Sequence, residues 1–230
     1  MSIDGNLQQR SFDIDYILGA VATMINVRRI EDKTALGQIS AEQDPFRVLI
    51  ATILSARTKD ETTLAASERL FEKYPDVQSL AMAEAGAVRK LIKPVGFYKT
   101  KAPRIINVAK LLIRMHDGKV PESFERLLEL PGVGRKTANC VLVYGFRKPA
   151  IPVDTHVHRI SNRLGLCQTR TPEETEIELT QKIDSRFWLD INELFVRFGQ
   201  EVCKPVGPRC NICRLNKECK YAIEKAKQKV

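Results

Sequence analysis

Two stretches of the chain concentrate side chains able to do chemistry. The first is Leu130-Pro131-Gly132-Val133-Gly134-Arg135-Lys136-Thr137-Ala138. Glycines two residues apart let the chain reverse with φ > 0 and place no side chain over the turn. The N–H groups opening the next helix then point outward, where an anion docks. Arg135 and Lys136 add positive charge beside them. Gly-x-Gly alone reads as an ordinary corner between helices. Pro-Gly-x-Gly-Arg-Lys between two helices reads as a nucleic-acid phosphate site. The second stretch holds Cys203, Cys210, Cys213 and Cys219, spaced C-x6-C-x2-C-x5-C. In a reducing compartment that quartet is better read as a metal site than as disulfides. Zinc usually shows two C-x-x-C pairs. One pair with unequal outer spacings suits a larger thiolate-held cubane, so a [4Fe–4S] cluster is expected. No open ligand position and no flavin or nicotinamide signature accompany it, which favours a structural role. Lys204, Arg209 and Arg214 lie among the cysteines and could face phosphates. Cys140 and Cys167 read as small buried hydrophobes.

The elements that must position these residues read as helices throughout. Pro121–Glu129 is predicted as a short helix with Pro in its first turn, and 136–146 as a second, mostly apolar one. Upstream, helical spacing runs over 12–29. Asp44 looks like an N-cap before Pro45 and the apolar run Val48–Leu54. Ser55–Asp60 is a polar break, and Thr58 or Asp60 can cap the helix that stops before Pro75. Further helices are expected over 84–93 and 101–115. Beyond a linker marked by Pro149 and Pro152, Asp154 opens a helix through Leu164, followed by helices at 172–183 and 187–202. Period-two alternation appears nowhere at useful length, so the fold class is all-α, with roughly ten helices. Leu91–Ala102 echoes the hairpin stretch: helix, Pro/Gly turn, basic helix start. It reads either as a coincidence of turn chemistry or as a second loop presenting Phe97 and Tyr98 on the same face.

Composition bounds the partners. At 230 residues and 43% hydrophobic content the chain can bury a sizeable core. No apolar run is long enough to span a membrane and no signal-peptide pattern opens the chain, so an intracellular protein is expected, in prokaryotic cytoplasm or nucleoid. The net charge of +9 and sequence pI of about 9.3 suit a polyanion. From Cys203 to Val230, eight Lys/Arg stand against two Glu, placing six of the nine net charges in the last 28 residues.

With these features placed, the chain resembles the endonuclease III family of helix-hairpin-helix DNA glycosylases. The resemblance is carried by Leu130–Ala138, by Val153-Asp154-Thr155-His156 and by the cysteine tail. Leu54-Ser55-Ala56-Arg57-Thr58-Lys59-Asp60 and Gly96-Phe97-Tyr98 match family loops. It implies a six-helix barrel over 38–148 and a second helical domain built from 1–37 and 149–230, with the [4Fe–4S] loop at 203–219. It also implies a monomer acting on double-stranded DNA that carries damaged bases or abasic sites. The implied activity is removal of oxidised pyrimidines with β-elimination at the abasic site. Lys136 is then the nucleophile and Asp154 the family's carboxylate. Arg57 plugs the hole left by the flipped nucleotide, and Phe97 wedges the opposite strand. Gly132, Gly134, Arg135, His156, Lys204 and Arg209 are the remaining DNA contacts. Many relatives carry Gln where this chain has Arg57, which leaves the reading of the orphaned base open.

Each of these residues has a plainer alternative. Lys136 could serve only as a phosphate contact, Asp154 only as an N-cap, Arg57 as an exposed loop charge and Phe97 as a core aromatic. For the whole chain the alternatives are a monofunctional mismatch glycosylase and a non-enzymatic DNA-binding module whose cluster senses redox state. An electron carrier is disfavoured by the hairpin and the basic charge.

Overall fold

The computed structural model describes residues 13–25, 35–39 and 44–228, and among them every regular element is helical. In chain order the helices are α1 (Ile14–Met24), α2 (Ala35–Ile39), α3 (Pro45–Ser55), α4 (Asp60–Lys73), α5 (Val77–Ala81), α6 (Ala85–Ile92) and α7 (Tyr98–His116). Then come α8 (Phe124–Leu128), α9 (Arg135–Cys140), α10 (Thr155–Leu164), α11 (Pro172–Lys182), α12 (Trp188–Glu201) and α13 (Lys220–Lys227). No described helix is long and apolar enough to cross a membrane. Two compact units form, one from 29–152 and one from 1–28 together with 153–230. The first division falls before α2, which packs on α3 and α4.

The 29–152 unit is built around α3. Asp44 caps it: Oδ1 accepts from Phe46 N at 2.8 Å and Arg47 N at 3.3 Å, and Pro45 supplies a preset φ in the first turn. Phe46 and every residue from Val48 to Leu54 are buried. A helix apolar on all sides belongs inside a core, and α2, α4, α7 and α9 surround this one. The expected apolar helix after the hairpin starts at Arg135, and from Val141 to Gly145 it widens into a π-type turn packed against α3.

The other unit assembles α1, α10, α11, α12 and α13. Its helices meet through Ile17, Val21, Val157, Ile160, Leu179, Ile191, Phe195 and Phe198, all nearly inaccessible. Asp13 caps α1 through Asp15 N at 3.0 Å.

Several boundaries differ from the sequence expectation for local reasons. Helix α8 begins at Phe124 because Ser123, not a proline, caps it through Arg126 N at 3.4 Å. Neither Thr58 nor Asp60 caps α4; Lys59 holds the cap position with no side-chain bond, and Thr58 is engaged elsewhere. Helix α7 starts three residues early and carries Pro103 within it. The N-terminal helix ends its described span at Met24; residues 26–29 of the expected span lie outside the described residues.

The C-terminal end of α3 is closed by a residue from another helix. The buried Lys101 of α7 donates from Nζ to Leu54 O at 2.8 Å and to Ala56 O at 2.6 Å. These are carbonyls that a helix end leaves without intrahelical donors. Burial, with Arg104 adding to it, pushes the Lys101 amine down to about 8. The unfolded chain holds that proton up to its ordinary value of 10.5. Between these values the unfolded state binds more protons, so raising the pH favours the folded state. Denaturant unfolding across pH 7.5–10.5 should therefore show wild-type stability rising relative to Lys101→Met. A difference that does not change with pH would contradict this account.

Candidate active site and metal centre

The hairpin between α8 and α9 closes through Leu130 N to Leu127 O at 3.2 Å and Val133 N to Leu130 O at 3.1 Å. Leu130 and Val133 point into the core and anchor the turn. Gly132 is exposed at φ 85°, in the left-handed region. A Cβ there would run into the side chain of Arg104, which lies across the turn. Gly134 departs from expectation. It sits at φ −100°, ψ −179°, an extended conformation open to any residue, and it holds the N-cap position of α9. Without a side chain it offers no cap bond to the first N–H groups of the helix. Arg135 reaches back over the Phe124 ring, 4.8 Å from its centroid, and ties α9 to α8. Lys136 follows as the second residue of the helix, half-buried at its mouth rather than in the core.

The two loops expected to probe a duplex stand beside each other. Arg57 (φ 54°) and Phe97 (φ 57°) both adopt the left-handed conformation that non-glycine residues avoid, a strain of about 1–2 kcal/mol each. The Arg57 guanidinium lies 5.6 Å from the Phe97 ring centroid. Phe97 is 62% exposed, so it is not a core aromatic.

Asp154 caps α10. Its Oδ1 accepts from His156 N at 2.8 Å and Val157 N at 2.9 Å, which fixes the carboxylate and keeps Oδ2 out of the cap. His156 takes a bond on Nδ1 from Arg159 at 3.1 Å; because guanidinium only donates, Nδ1 is the acceptor. Lys136 and Asp154 belong to different units.

Cys203, Cys210, Cys213 and Cys219 are free thiols that line one cavity with Leu164, Phe198, Val202 and Tyr221. Cys210 opens a 3₁₀ turn that ends before Cys213. Burial pushes the Cys213 thiol up to about 11, and the neighbouring thiols of Cys219, Cys203 and Cys210 push the same way. Cys219 is raised for the same leading reason. Among the described residues no three His, Cys, Asp or Glu side chains are grouped as a single metal ion would need. Arg209 and Arg214 are exposed and Lys204 is half-buried. Cys140 and Cys167 are buried, as their surroundings in sequence suggested.

Sequence reading missed the arginines behind the cysteines. Arg163 donates to Cys203 Sγ at 3.4 Å, to Lys204 O at 2.7 Å and to Pro205 O at 3.0 Å. Arg159 donates to Cys203 O at 3.0 Å and to Gly199 O at 3.3 Å. The spacing of Arg159 and Arg163, one helical turn apart, was the available signal, since it puts both on one face of α10.

Comparison with known proteins matches residues 50–185 to the HhH-GPD superfamily of base excision DNA repair proteins. The endonuclease III of Thermotoga maritima is 52% identical over 189 residues, covering 82% of this chain and 89% of the relative. A structure of a trapped endonuclease III–DNA covalent intermediate superposes with a TM-score of 0.80 at 34% identity, covering 93% of this chain and 97% of the other. A thermostable thymine-DNA glycosylase superposes at 0.78 with 25% identity, covering 91% and 96%.

The double role of Asp154, cap and carboxylate, separates by substitution. Asp154→Asn keeps a capping oxygen and should leave thermal stability nearly unchanged, whereas Asp154→Ala should cost about 1 kcal/mol. Equal melting curves for the two variants would contradict the capping geometry.

Proposed function

The chain belongs to the HhH-GPD superfamily of base excision DNA repair proteins, and on that premise we propose how it works as an endonuclease III-type glycosylase and abasic-site lyase. It acts on duplex DNA carrying oxidised pyrimidines or abasic sites, as a monomer, in the DNA-containing compartment of a prokaryotic cell. The observation that carries the reading is Lys136, held at the mouth of α9 directly after the Gly-x-Gly turn.

A flipped-out nucleotide presents C1′ to the pocket. The Lys136 amine attacks there, the base leaves, and a Schiff base to the sugar forms; loss of the 2′ proton then expels the 3′ phosphate. Attack needs an unprotonated amine, while free lysine titrates near ~10.4. Asp154 accepts the amine's proton and stabilises positive charge on the sugar, and its cap bonds hold it rigid for that work. The start of α9, with Arg135 beside it, takes backbone phosphate. Arg57 fills the vacated stack and Phe97 parts the opposite strand. Their exposure and mutual contact support this pairing. His156, Lys204 and Arg209 complete the phosphate contacts.

The cysteine quartet fits a [4Fe–4S] cluster. Four free thiols face one cavity, and two arginines supply positive charge to the first of them. Burial, aided by the neighbouring thiols, opposes ionisation of Cys213, and a bound cationic centre would offset that. Held by Cys203, Cys210, Cys213 and Cys219, such a cluster would shape the basic loop from Lys204 to Arg209.

The thymine-DNA glycosylase of the same architecture raises a second reading, base release without strand cleavage. A duplex bearing one thymine glycol decides between them. The wild-type protein should nick the lesion strand without added base, Lys136→Ala should leave no detectable nick, and Asp154→Asn should be slower by on the order of 10²–10⁴-fold. Base release with no nick would contradict the lyase step, and no release at all would refute the oxidised-pyrimidine reading. For the metal, the purified protein should be brown with about four iron atoms per chain. Cys213→Ser should lose the colour; a colourless wild type holding one zinc would refute the cluster.

A further inference from the structure

Lys101 is a buried cation, 4% exposed, that takes no part in the chemistry above. Its three donors go to the end of α3 and the turn that follows it: Leu54 O, Ala56 O and Thr58 Oγ1, the last at 3.3 Å. An ammonium has three donors, so these acceptors satisfy it completely without any carboxylate. The backbone N–H of the same residue donates to Phe97 O at 3.0 Å. Lys101 thus grips the residue before Arg57 with its side chain, while its backbone N–H makes the ordinary first-turn bond of α7 to Phe97 O.

Thr58 extends the grip. Its Oγ1 donates to Ala56 O at 3.3 Å and accepts from Gly96 N at 3.1 Å, which joins the loop around Arg57 to the loop before Phe97. The two backbones also touch. A Cβ on Gly96 would sit 2.5 Å from Arg57 O, so only glycine fits there. Two residues with strained backbones, Arg57 and Phe97, therefore flank a closed network whose hub is one amine. Backbone strain of this kind persists only where the surroundings over-determine it.

We propose that Lys101 is a positioning residue that locks the 55–58 and 94–97 loops into one rigid pair of DNA-probing tips, Arg57 and Phe97. The proposal rests on the reading that these two side chains enter the duplex. A lysine that merely closed the end of α3 would, when replaced, lower stability and slow every reaction alike. A positioning lysine slows only those reactions that need the duplex opened. A single strand has no partner base to separate and no stack to plug.

The test compares strand cleavage at one abasic site in a duplex with cleavage of the same strand alone, under single-turnover conditions, for the full-length protein. Lys101→Met should lower the duplex rate on the order of 10–100-fold, as misplacement by about an ångström does, and leave the single-strand rate within about threefold. Thr58→Val, which removes the junction and keeps the shape, should shift the same ratio by a smaller factor, and it serves if Lys101→Met does not fold. Arg57→Ala and Phe97→Ala calibrate the assay. If they change the duplex ratio and the Lys101 and Thr58 variants do not, the positioning role is overturned while the plug-and-wedge reading stands. If they do not change it, that reading itself fails and the proposal with it. Equal losses on both substrates for Lys101→Met and Thr58→Val would mark a purely structural lysine.

Discussion

The turn from Leu130 to Gly134 has to close while keeping its outer face bare. Leu130 and Val133 hold it from inside, Gly132 takes the left-handed conformation, and Gly134 occupies a cap position with nothing to cap with. A Ser or Asp at position 134 would satisfy the first N–H groups of α9 internally and add local stability. Glycine supplies no such cap. Position 136 then sits in the first turn of α9 in half-buried surroundings.

The same economy governs charge in the rest of the molecule. A basic chain of net charge +9 must place its cations without burying them unpaired. Lys101 is buried against carbonyl oxygens at the end of α3, and Arg159 and Arg163 are spent on carbonyls around the first cysteine. Interior cations here stabilise loops by completing backbone hydrogen bonds, while Arg209 and Arg214 remain at the surface. The end of α3 and the chain after α12 are thereby held from behind by these side chains.

How much was legible in the sequence follows from which interactions are local. The helical class, the Asp44 and Asp154 caps, the hairpin and the cysteine quartet are short-range signals written within a few residues of each other. Short helices such as α2, α5 and α13 escaped because a turn or two lies below what periodicity can register. The π-type widening at Val141–Gly145 answers to packing against α3, which no local pattern encodes. Gly134 was expected at positive φ because Gly-x-Gly suggests symmetry; the backbone uses the two glycines differently, one for its dihedral and one for its missing side chain. Lys101 escaped altogether. A lysine in the first turns of a basic helix reads as solvated surface, and only residues 54–58, more than forty positions away, give it a buried role.

The central claim concerns one nitrogen, and mass spectrometry addresses it directly. The wild-type protein is incubated with an abasic duplex, reduced with borohydride, stripped of DNA and digested. The account predicts a deoxyribose-derived mass addition on the peptide containing Lys136 and on no other. The addition on a different lysine or on the N-terminal amine, with the Lys136 peptide unmodified, would contradict it.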